Sequence, residues 1–332
     1  MNRELIVVLG MHRSGTSAVT RGLKVLGVEL GEDLMGPGAD NPRGFWEKKE
    51  IIRLNILVLE ALGIKWDSLS LVPPSRWEGS LVKELQPVAA RIIRKNLDRY
   101  PRWGFKDPRT LRVLPFWIGA FELSGISPRY LLVVRNPVSV ARSLQARDRI
   151  PPARAYLLWA VHVIPYLARL RNRRLAVVDY DLLMDNPLPQ LNRIAAQLAI
   201  PAGDGMAAEM KDYGEFLSHG LRHSRHTEED LMGNPAAGDL IKTAYLRLHR
   251  LARDEAGPSS KIFWREWSQM AEELDSLCAS RAGTGEDTGR PQGEDRAQGP
   301  GPSRLMRNPF NKTVARVPAN AKWMVIQRKV RR

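Results

Sequence analysis

Residues 10–17 have the composition of a phosphate-binding loop. They read Gly-Met-His-Arg-Ser-Gly-Thr-Ser, directly after the apolar run Leu5–Leu9 and before a helical pattern. A G-x-x-x-x-G spacing lets the backbone curl so that several N–H groups point inward, and the helix N-terminus adds partial positive charge. Thr16 stands where a Walker loop carries the lysine that reaches the β- and γ-phosphates, and the cation is instead Arg13. The segment therefore predicts an anion-binding loop and disfavours ATP-type γ-phosphate chemistry.

A second strand-to-helix junction repeats this chemistry. The apolar run Arg129–Val134 leads into Arg135, and Pro137 follows where a first helical turn accepts proline. Ser143 lies eight residues after Arg135, about two turns along the predicted helix. An arginine and a hydroxyl at this spacing predict a second anion site.

Together the two sites resemble the sulfotransferases that use 3′-phosphoadenosine-5′-phosphosulfate (PAPS) as donor. In that family a loop often written Pro-[Lys/Arg]-Ser-Gly-Thr-[Ser/Thr] binds the 5′-phosphosulfate, and an Arg-[Asp/Asn]-Pro-x5-Ser unit binds the 3′-phosphate. This chain has His12 where many members have proline. The residues that the resemblance assigns to the donor are Arg13, Ser14, Gly15, Thr16, Ser17, Arg135 and Ser143.

Further segments extend the resemblance over about Leu5–Arg253. The sequence Lys-Asp-Pro-Arg at 106–109 is similar to a Lys-Asp-Pro of tyrosylprotein sulfotransferases, whose lysine contacts the transferring sulfuryl group. Residues 41–47 and 62–67 look like a bacterial branch of the family, and residues 177–183 resemble its strand-Tyr-[Asp/Glu]-Leu segment. The resemblance implies a P-loop NTPase-like fold and PAPS as co-substrate.

Sulfuryl transfer requires positive charge at the oxygen that leaves with the nucleotide, and a base that takes the acceptor's proton. Arg13 and Lys106 are the predicted cations, and their charge makes a catalytic metal unnecessary. Glu47 is the first candidate for the base, although a carboxylate there also suits the first turn of a helix. Asp107 is the second candidate, with a bridge between its basic neighbours as its alternative role, and His12 is the third.

Strand and helix patterns alternate along the chain, which predicts an α/β fold. Such alternation is typical of a parallel sheet flanked by helices in three α/β/α layers, with the site at the carboxyl ends of the strands. The predicted strands are Leu5–Leu9, Trp103–Lys106, Arg129–Val134 and Leu175–Val178. The predicted helices are Ser17–Leu26, Glu47–Leu62, Leu81–Leu97, Val138–Ala146, Ala155–Leu170, Leu188–Leu198, Leu240–Arg253 and Phe263–Ala279.

The net charge of +15 is concentrated near the end of the 332-residue chain. Residues 297–332 hold nine Lys or Arg and no Asp or Glu; subtracting this +9 from the total leaves +6 for the other 296 residues. Composition predicts a catalytic domain over 1–281, a flexible Gly/Pro-rich linker over 282–303 and a basic tail over 304–332. The tail is expected either to contact an acidic membrane or polymer, or to act as a solvated extension.

Composition also bears on the cellular compartment. The single cysteine, Cys278, excludes an intrachain disulfide and fits a reducing compartment. A strand pattern from Glu4 leaves no room for a signal peptide, and the longest uncharged run, Ala155–Ala168, is too short to span a bilayer. The expectation is a cytoplasmic protein, with peripheral membrane contact through the tail.

Two other functions fit parts of the sequence. A P-loop kinase is disfavoured by Thr16, and a non-catalytic polyanion-binding protein is suggested only by the charge. The acceptor is expected to be a carbohydrate or glycolipid hydroxyl or amine, with small metabolites and protein tyrosine left open. His219, His223 and His226 have helical spacing, but Gly220 interrupts them and no metal site is expected.

Overall fold

Four parallel strands form the sheet on which the fold is built. A computed structural model describes residues 3–38, 41, 43–201, 206–218 and 224–283. The strands run in the order β2-β1-β3-β4, and every neighbouring pair is parallel. They are β1 (Glu4–Leu9), β2 (Arg102–Lys106), β3 (Arg129–Val134) and β4 (Leu175–Asp179).

Helices cover both faces of this sheet. They are α1 (Thr16–Gly22), α2 (Lys49–Ala61), α3 (Pro74–Trp77), α4 (Ser80–Arg99), α5 (Arg109–Arg112), α6 (Leu114–Ser124), α7 (Pro137–Asp148), α8 (Pro152–Leu167), α9 (Tyr180–Asp185), α10 (Pro187–Leu198), α11 (Met206–Ser218), α12 (Glu228–Met232), α13 (Asp239–Ala252) and α14 (Lys261–Gly283). No helix among the described residues is long and apolar enough to cross a membrane.

Alternation along β1 separates two apolar cores. Leu5, Val7 and Leu9 point into a larger core shared with α2, α4, α6, α8 and α13. Ile6 and Val8 point into a smaller core shared with α1, α10 and α11. A strand that is apolar at every position is stable only when both faces are covered. The two cores therefore confirm the predicted three-layer α/β/α class.

The strand order decides where the two predicted anion sites lie. The strand that follows β1 in the chain, β2, pairs with one edge of β1, and the next strand, β3, pairs with its other edge. A crevice forms at such a switch point, outside the carboxyl ends of the strands. The loop after β1 and the segment after β3 are thus brought to adjacent positions.

The sequence located the strands to within one residue but missed six helices. Four of these (α3, α5, α9 and α12) span four to six residues each, too few to show a periodicity. The helix α6, Leu114–Ser124, is apolar around much of its circumference and therefore lacks an amphipathic pattern.

Several helix boundaries differ from those predicted. The helix predicted from Ser17 begins at Thr16, and its last residues, Leu23–Leu26, form a 3-10 turn. The helix predicted from Glu47 begins at Lys49, so this carboxylate precedes the helix instead of lying in its first turn. The last helix continues to Gly283, two residues beyond the predicted domain end. The rest of the predicted linker and the basic tail lie outside the described residues.

Candidate active site

The turn after β1 combines an unusual backbone with a close aromatic contact. Gly15 has φ 82°, in the left-handed region that favours glycine. A Cβ added there would lie 2.0 Å from Cδ2 of Tyr180, a separation that real atoms do not tolerate. Arg13 also has a positive φ of 68°, which is uncommon for a residue with a side chain. Contacts from distant parts of the chain therefore fix the shape of this turn.

The two predicted anion sites contact each other directly. Nε of Arg13, in the turn after β1, donates a hydrogen bond of 2.7 Å to Oγ of Ser143 on α7. Nη1 of Arg135, which follows β3, donates a hydrogen bond of 3.3 Å to the carbonyl oxygen of Arg13. Segments more than 120 residues apart thus form one cationic site.

Arg135 is held in place by hydrogen bonds and by a cation–π contact. Its residue is only 6% exposed, and Nη2 donates to the carbonyl oxygen of Ser224 at 2.7 Å. Its guanidinium carbon lies 4.6 Å from the ring centroid of Tyr180, within the range of a cation–π interaction. Its buried Nε has no hydrogen-bond partner among the described residues. A buried donor without a partner costs free energy, and a bound anion would relieve that cost.

Lys106 and Glu47 form a buried ion pair at the end of β2. Nζ of Lys106 lies 2.8 Å from Oε1 of Glu47, and the side chains are 1% and 8% exposed. The same ammonium group donates to Oγ of Ser17 at 3.2 Å and to the carbonyl oxygen of Phe45. The predicted cation, the predicted base and a hydroxyl of α1 therefore lie within one hydrogen-bonded cluster.

Asp107 is bound mainly to Arg109. Nη1 of Arg109 lies 3.0 Å from Oδ1 and 3.1 Å from Oδ2 of Asp107, and the backbone N–H of Arg109 donates to Oδ1 at 2.8 Å. Asp107 was suggested to bridge Lys106 and Arg109. It pairs with Arg109, whereas Lys106 pairs with Glu47. Arg109 also lies 3.9 Å from Oε2 of Glu47.

Burial raises the pKa of Glu47 above its usual value. Lys106 and Arg109 oppose this shift because their charge favours the carboxylate, while the neighbouring charge of Asp107 adds to it. A carboxylate with a raised pKa is a stronger base than an exposed one. The electrostatics are consistent with a proton-accepting role for this side chain.

The segment that carries Glu47 returns over the phosphate loop. Nδ2 of Asn41 donates to the carbonyl oxygen of Gly44 at 2.7 Å, which tightens the turn before the carboxylate. Oγ of Ser17 then donates to the carbonyl oxygen of Phe45 at 3.2 Å. These contacts bring a segment that follows the first helix to the start of that helix.

His12, Trp66 and Trp46 have different surroundings. The His12 ring is buried and lies 4.5 Å from the ring of half-buried Trp66. Burial lowers the pKa of His12 well below its usual range. Trp46 instead packs beside Arg21 and Phe216, which occupy its ring. The Trp66 ring in turn lies 5.7 Å from the guanidinium carbon of Arg147, so both tryptophans pack beside a cation.

The sequence did not reveal the role of Tyr180, which contacts both Gly15 and Arg135. The resemblance to sulfotransferases includes its segment, residues 177–183, but implies no contact for the ring. Asp179, which precedes it, caps α9 by accepting from the N–H groups of Asp181 and Leu182. The hydroxyl of Tyr245 donates to the other oxygen of Asp179 at 3.1 Å. These contacts give this aspartate a structural role and hold the start of α9, which carries Tyr180.

Among the described residues the site contains no metal-binding cluster, and it lies apart from an apolar cavity. Among the described residues no group of three His, Cys, Asp or Glu is placed to hold a metal ion. His226 lies before α12, with Nδ1 3.1 Å from Oγ of Ser139, while His219 and His223 fall outside the described residues.

An apolar cavity of about 610 Å³ lies beside α8 and α14, and none of the predicted site residues lines it.

Two solved structures are similar to this chain at low identity. Sulfotransferase STF1 from Mycobacterium tuberculosis H37Rv is 18% identical, with a TM-score of 0.47, over 74% of this chain and 77% of its own. The sulfotransferase domain of the olefin synthase from Synechococcus PCC 7002 is 16% identical, with a TM-score of 0.39, over 82% of this chain and 95% of its own. No protein-family model and no curated protein matches the chain. Since both TM-scores are below 0.5, the function is inferred from the site itself.

Proposed function

We propose that this chain is a sulfotransferase that moves a sulfuryl group from PAPS to a hydroxyl or amine of an acceptor. The observation that carries the proposal is the contact between the two predicted anion sites, where Arg13 donates to Ser143 and Arg135 donates to the Arg13 carbonyl. PAPS carries a 5′-phosphosulfate and a 3′-phosphate on one ribose, so it needs two anion sites at a fixed separation.

The residues present fit the phosphates of this donor. The turn at Gly15 leads into α1, whose N-terminal N–H groups favour an anion. The buried Nε of Arg135 still lacks a partner among the described residues, which suits the 3′-phosphate. Thr16 replaces the Walker lysine, so a γ-phosphate would find no lysine at the usual position.

In the proposed reaction the acceptor oxygen or nitrogen attacks sulfur and a new bond forms there. The bond between sulfur and the bridging oxygen breaks, and its electron pair leaves with 3′-phosphoadenosine-5′-phosphate. Arg13 and Lys106 supply positive charge where that negative charge develops. Glu47 takes the acceptor proton, and its ion pair with Lys106 keeps base and cation together.

For the acceptor we propose a carbohydrate or a glycolipid. Sugars stack on aromatic rings, and half-buried Trp66 lies beside His12 of the phosphate loop. We also propose that the basic tail 304–332 holds the enzyme at an acidic membrane or polymer, as the +9 charge of residues 297–332 favours.

Calorimetry with 3′-phosphoadenosine-5′-phosphate and AMP tests the donor. The wild-type chain should bind the 3′-phosphorylated nucleotide much more tightly. Arg135→Ala should weaken that binding by about 1.5–3 kcal/mol, or roughly 12- to 160-fold, while AMP affinity changes little. Arg91→Ala, an exposed arginine on α4, is the control for loss of one positive charge. Equal wild-type affinity for the two nucleotides would contradict the proposal.

The kinase alternative makes the opposite forecast. A kinase should prefer ATP and lose turnover when magnesium is removed, because the metal bridges the transferring phosphate. Retention of polyanion binding after Arg13→Ala, without nucleotide binding in the wild-type chain, would favour the non-catalytic alternative.

A further inference from the structure

His12 is a loop residue whose buried ring is not explained by donor binding or by the base. The residue is 8% exposed, and its Nε2 has no hydrogen-bond partner among the described residues. The ring lies 4.5 Å from Trp66 at a tilt of 48°, and 6.5 Å from the buried ring of His162. Native proteins pair nearly all buried polar atoms, so an unpaired one in a loop built for ligands indicates contact with the ligand.

The charges around the ring show which half of the site it faces. The cations that act on it most strongly are Arg109, Arg147 and Lys106. Arg109 and Lys106 flank Glu47, the proposed base. His12 therefore lies on the side of the loop where the sulfuryl group meets the acceptor.

The same surroundings keep the ring neutral. Burial first, and then these cations, hold the pKa of His12 well below its usual range. An imidazole that resists protonation cannot store the proton of the acceptor. In the tautomer with hydrogen on Nε2, however, a neutral ring can donate a hydrogen bond to an anionic oxygen. The nearby cations and an N–H donor without a partner among the described residues both favour an anion.

We propose that Nε2–H of His12 donates a hydrogen bond to a non-bridging oxygen of the transferring sulfuryl group. This role rests on the proposed sulfotransferase function and adds a neutral donor to the cations already assigned. The ring of Trp66 fixes the orientation of the imidazole. The proton stays on His12 throughout, so the ring stabilises the charge of the transition state while Glu47 takes the proton of the acceptor.

The test compares two nucleotides that differ only in the sulfuryl group. His12→Phe keeps a ring beside Trp66 but removes the donor, and His12→Gln keeps an N–H donor. For His12→Phe we expect unchanged affinity for 3′-phosphoadenosine-5′-phosphate, weaker affinity for PAPS, and a fall in kcat of about 10²–10³, the effect of losing one such donor. His12→Gln should recover part of both losses. The melting temperature of His12→Phe should not fall, because an unpaired buried nitrogen has been removed.

Other outcomes separate the possible failures. An unchanged ratio of PAPS to 3′-phosphoadenosine-5′-phosphate affinity in His12→Phe, with a raised KM for the acceptor, would overturn the proposal and place His12 against the acceptor. Wild-type kinetics in both variants would show that the ring only packs. If His12→Phe does not fold, His12→Gln is compared with the wild-type chain instead. A large loss of kcat in His12→Gln, with an unchanged ratio of PAPS to 3′-phosphoadenosine-5′-phosphate affinity, would overturn the assignment. If the wild-type chain binds neither nucleotide, the proposed function itself fails.

Discussion

Replacing Glu47 by glutamine tests the proposed base most directly. Glutamine keeps the size of the side chain and leaves an oxygen for the Lys106 ammonium, which lies 2.8 Å from Oε1. It removes the basicity, so turnover should fall by about two to four orders of magnitude, the range for loss of a general base. This corresponds to about 2.7–5.4 kcal/mol of transition-state stabilisation. Affinity for 3′-phosphoadenosine-5′-phosphate should change little, because the donor's phosphates bind to Arg13 and Arg135.

Two opposing effects act on the stability of this variant. The raised pKa means that the ionised Glu47 costs folding free energy, a cost that appears as pH rises through the folded-state pKa. Glutamine removes this cost but takes a charge partner from buried Lys106. The free energy of unfolding should therefore fall by less than the about 3–5 kcal/mol that removal of one partner of a buried ion pair costs. Turnover should be compared at a temperature where both proteins are folded. A large drop in melting temperature would show that the ion pair is needed for folding.

The pH profile gives an independent readout. The base must be deprotonated to act, so kcat/KM should fall as pH decreases through the Glu47 pKa, which lies above the usual range for glutamate. This acid limb should disappear in Glu47→Gln. The matched control is Asp107→Asn, since Asp107 is bound to Arg109 through both oxygens. Near-normal turnover in Glu47→Gln together with collapse in Asp107→Asn would refute the assignment and move the role to Asp107.

Three further outcomes are expected. Turnover in excess EDTA should persist, because Arg13 and Lys106 supply the charge; complete loss that magnesium restores would point to the kinase. Gly15→Ala should abolish nucleotide binding and lower the melting temperature, since the new Cβ would lie 2.0 Å from the Tyr180 ring, and a variant that binds normally would mean that this turn can relax. Removal of residues 304–332 should leave nucleotide affinity unchanged and weaken binding to vesicles that contain acidic lipids; unfolding of the remaining chain on truncation would instead make the tail part of the packed fold.

The strands could be predicted because each is a short apolar run whose burial follows from composition. β3 occupies the residues predicted for it, Arg129–Val134, and the other strands differ by one residue. The sheet order could not be predicted, because pairing of β1 with both β2 and β3 depends on packing between distant segments. The class of the fold was therefore predictable, and its detailed topology was not.

The residues of the candidate site could be named from sequence, but not how they pair. Spacing singled out Arg13 and Ser143 separately, and only the sheet order brings them within 2.7 Å. The pairing of Glu47 with Lys106 depends on a returning segment whose path no local pattern encodes. The contacts of Tyr180 could not be predicted, since an aromatic residue after a strand is usually part of the core. The sequence showed it only as part of the segment 177–183 that resembles sulfotransferases.

The contact between Tyr180 and Gly15 also bears on how the chain matures during synthesis. The phosphate loop is made well before the ring that abuts it, because Tyr180 follows Gly15 by 165 residues. At about 5–20 residues per second, a ribosome needs roughly 8–33 s to cover that distance. Until then the loop lacks this ring, and its positive-φ backbone is without one of the contacts that fix it. A nascent chain should therefore bind nucleotide only after β4 and Tyr180 have left the ribosome. Nucleotide binding by nascent chains of increasing length would then show when the four-stranded sheet is complete.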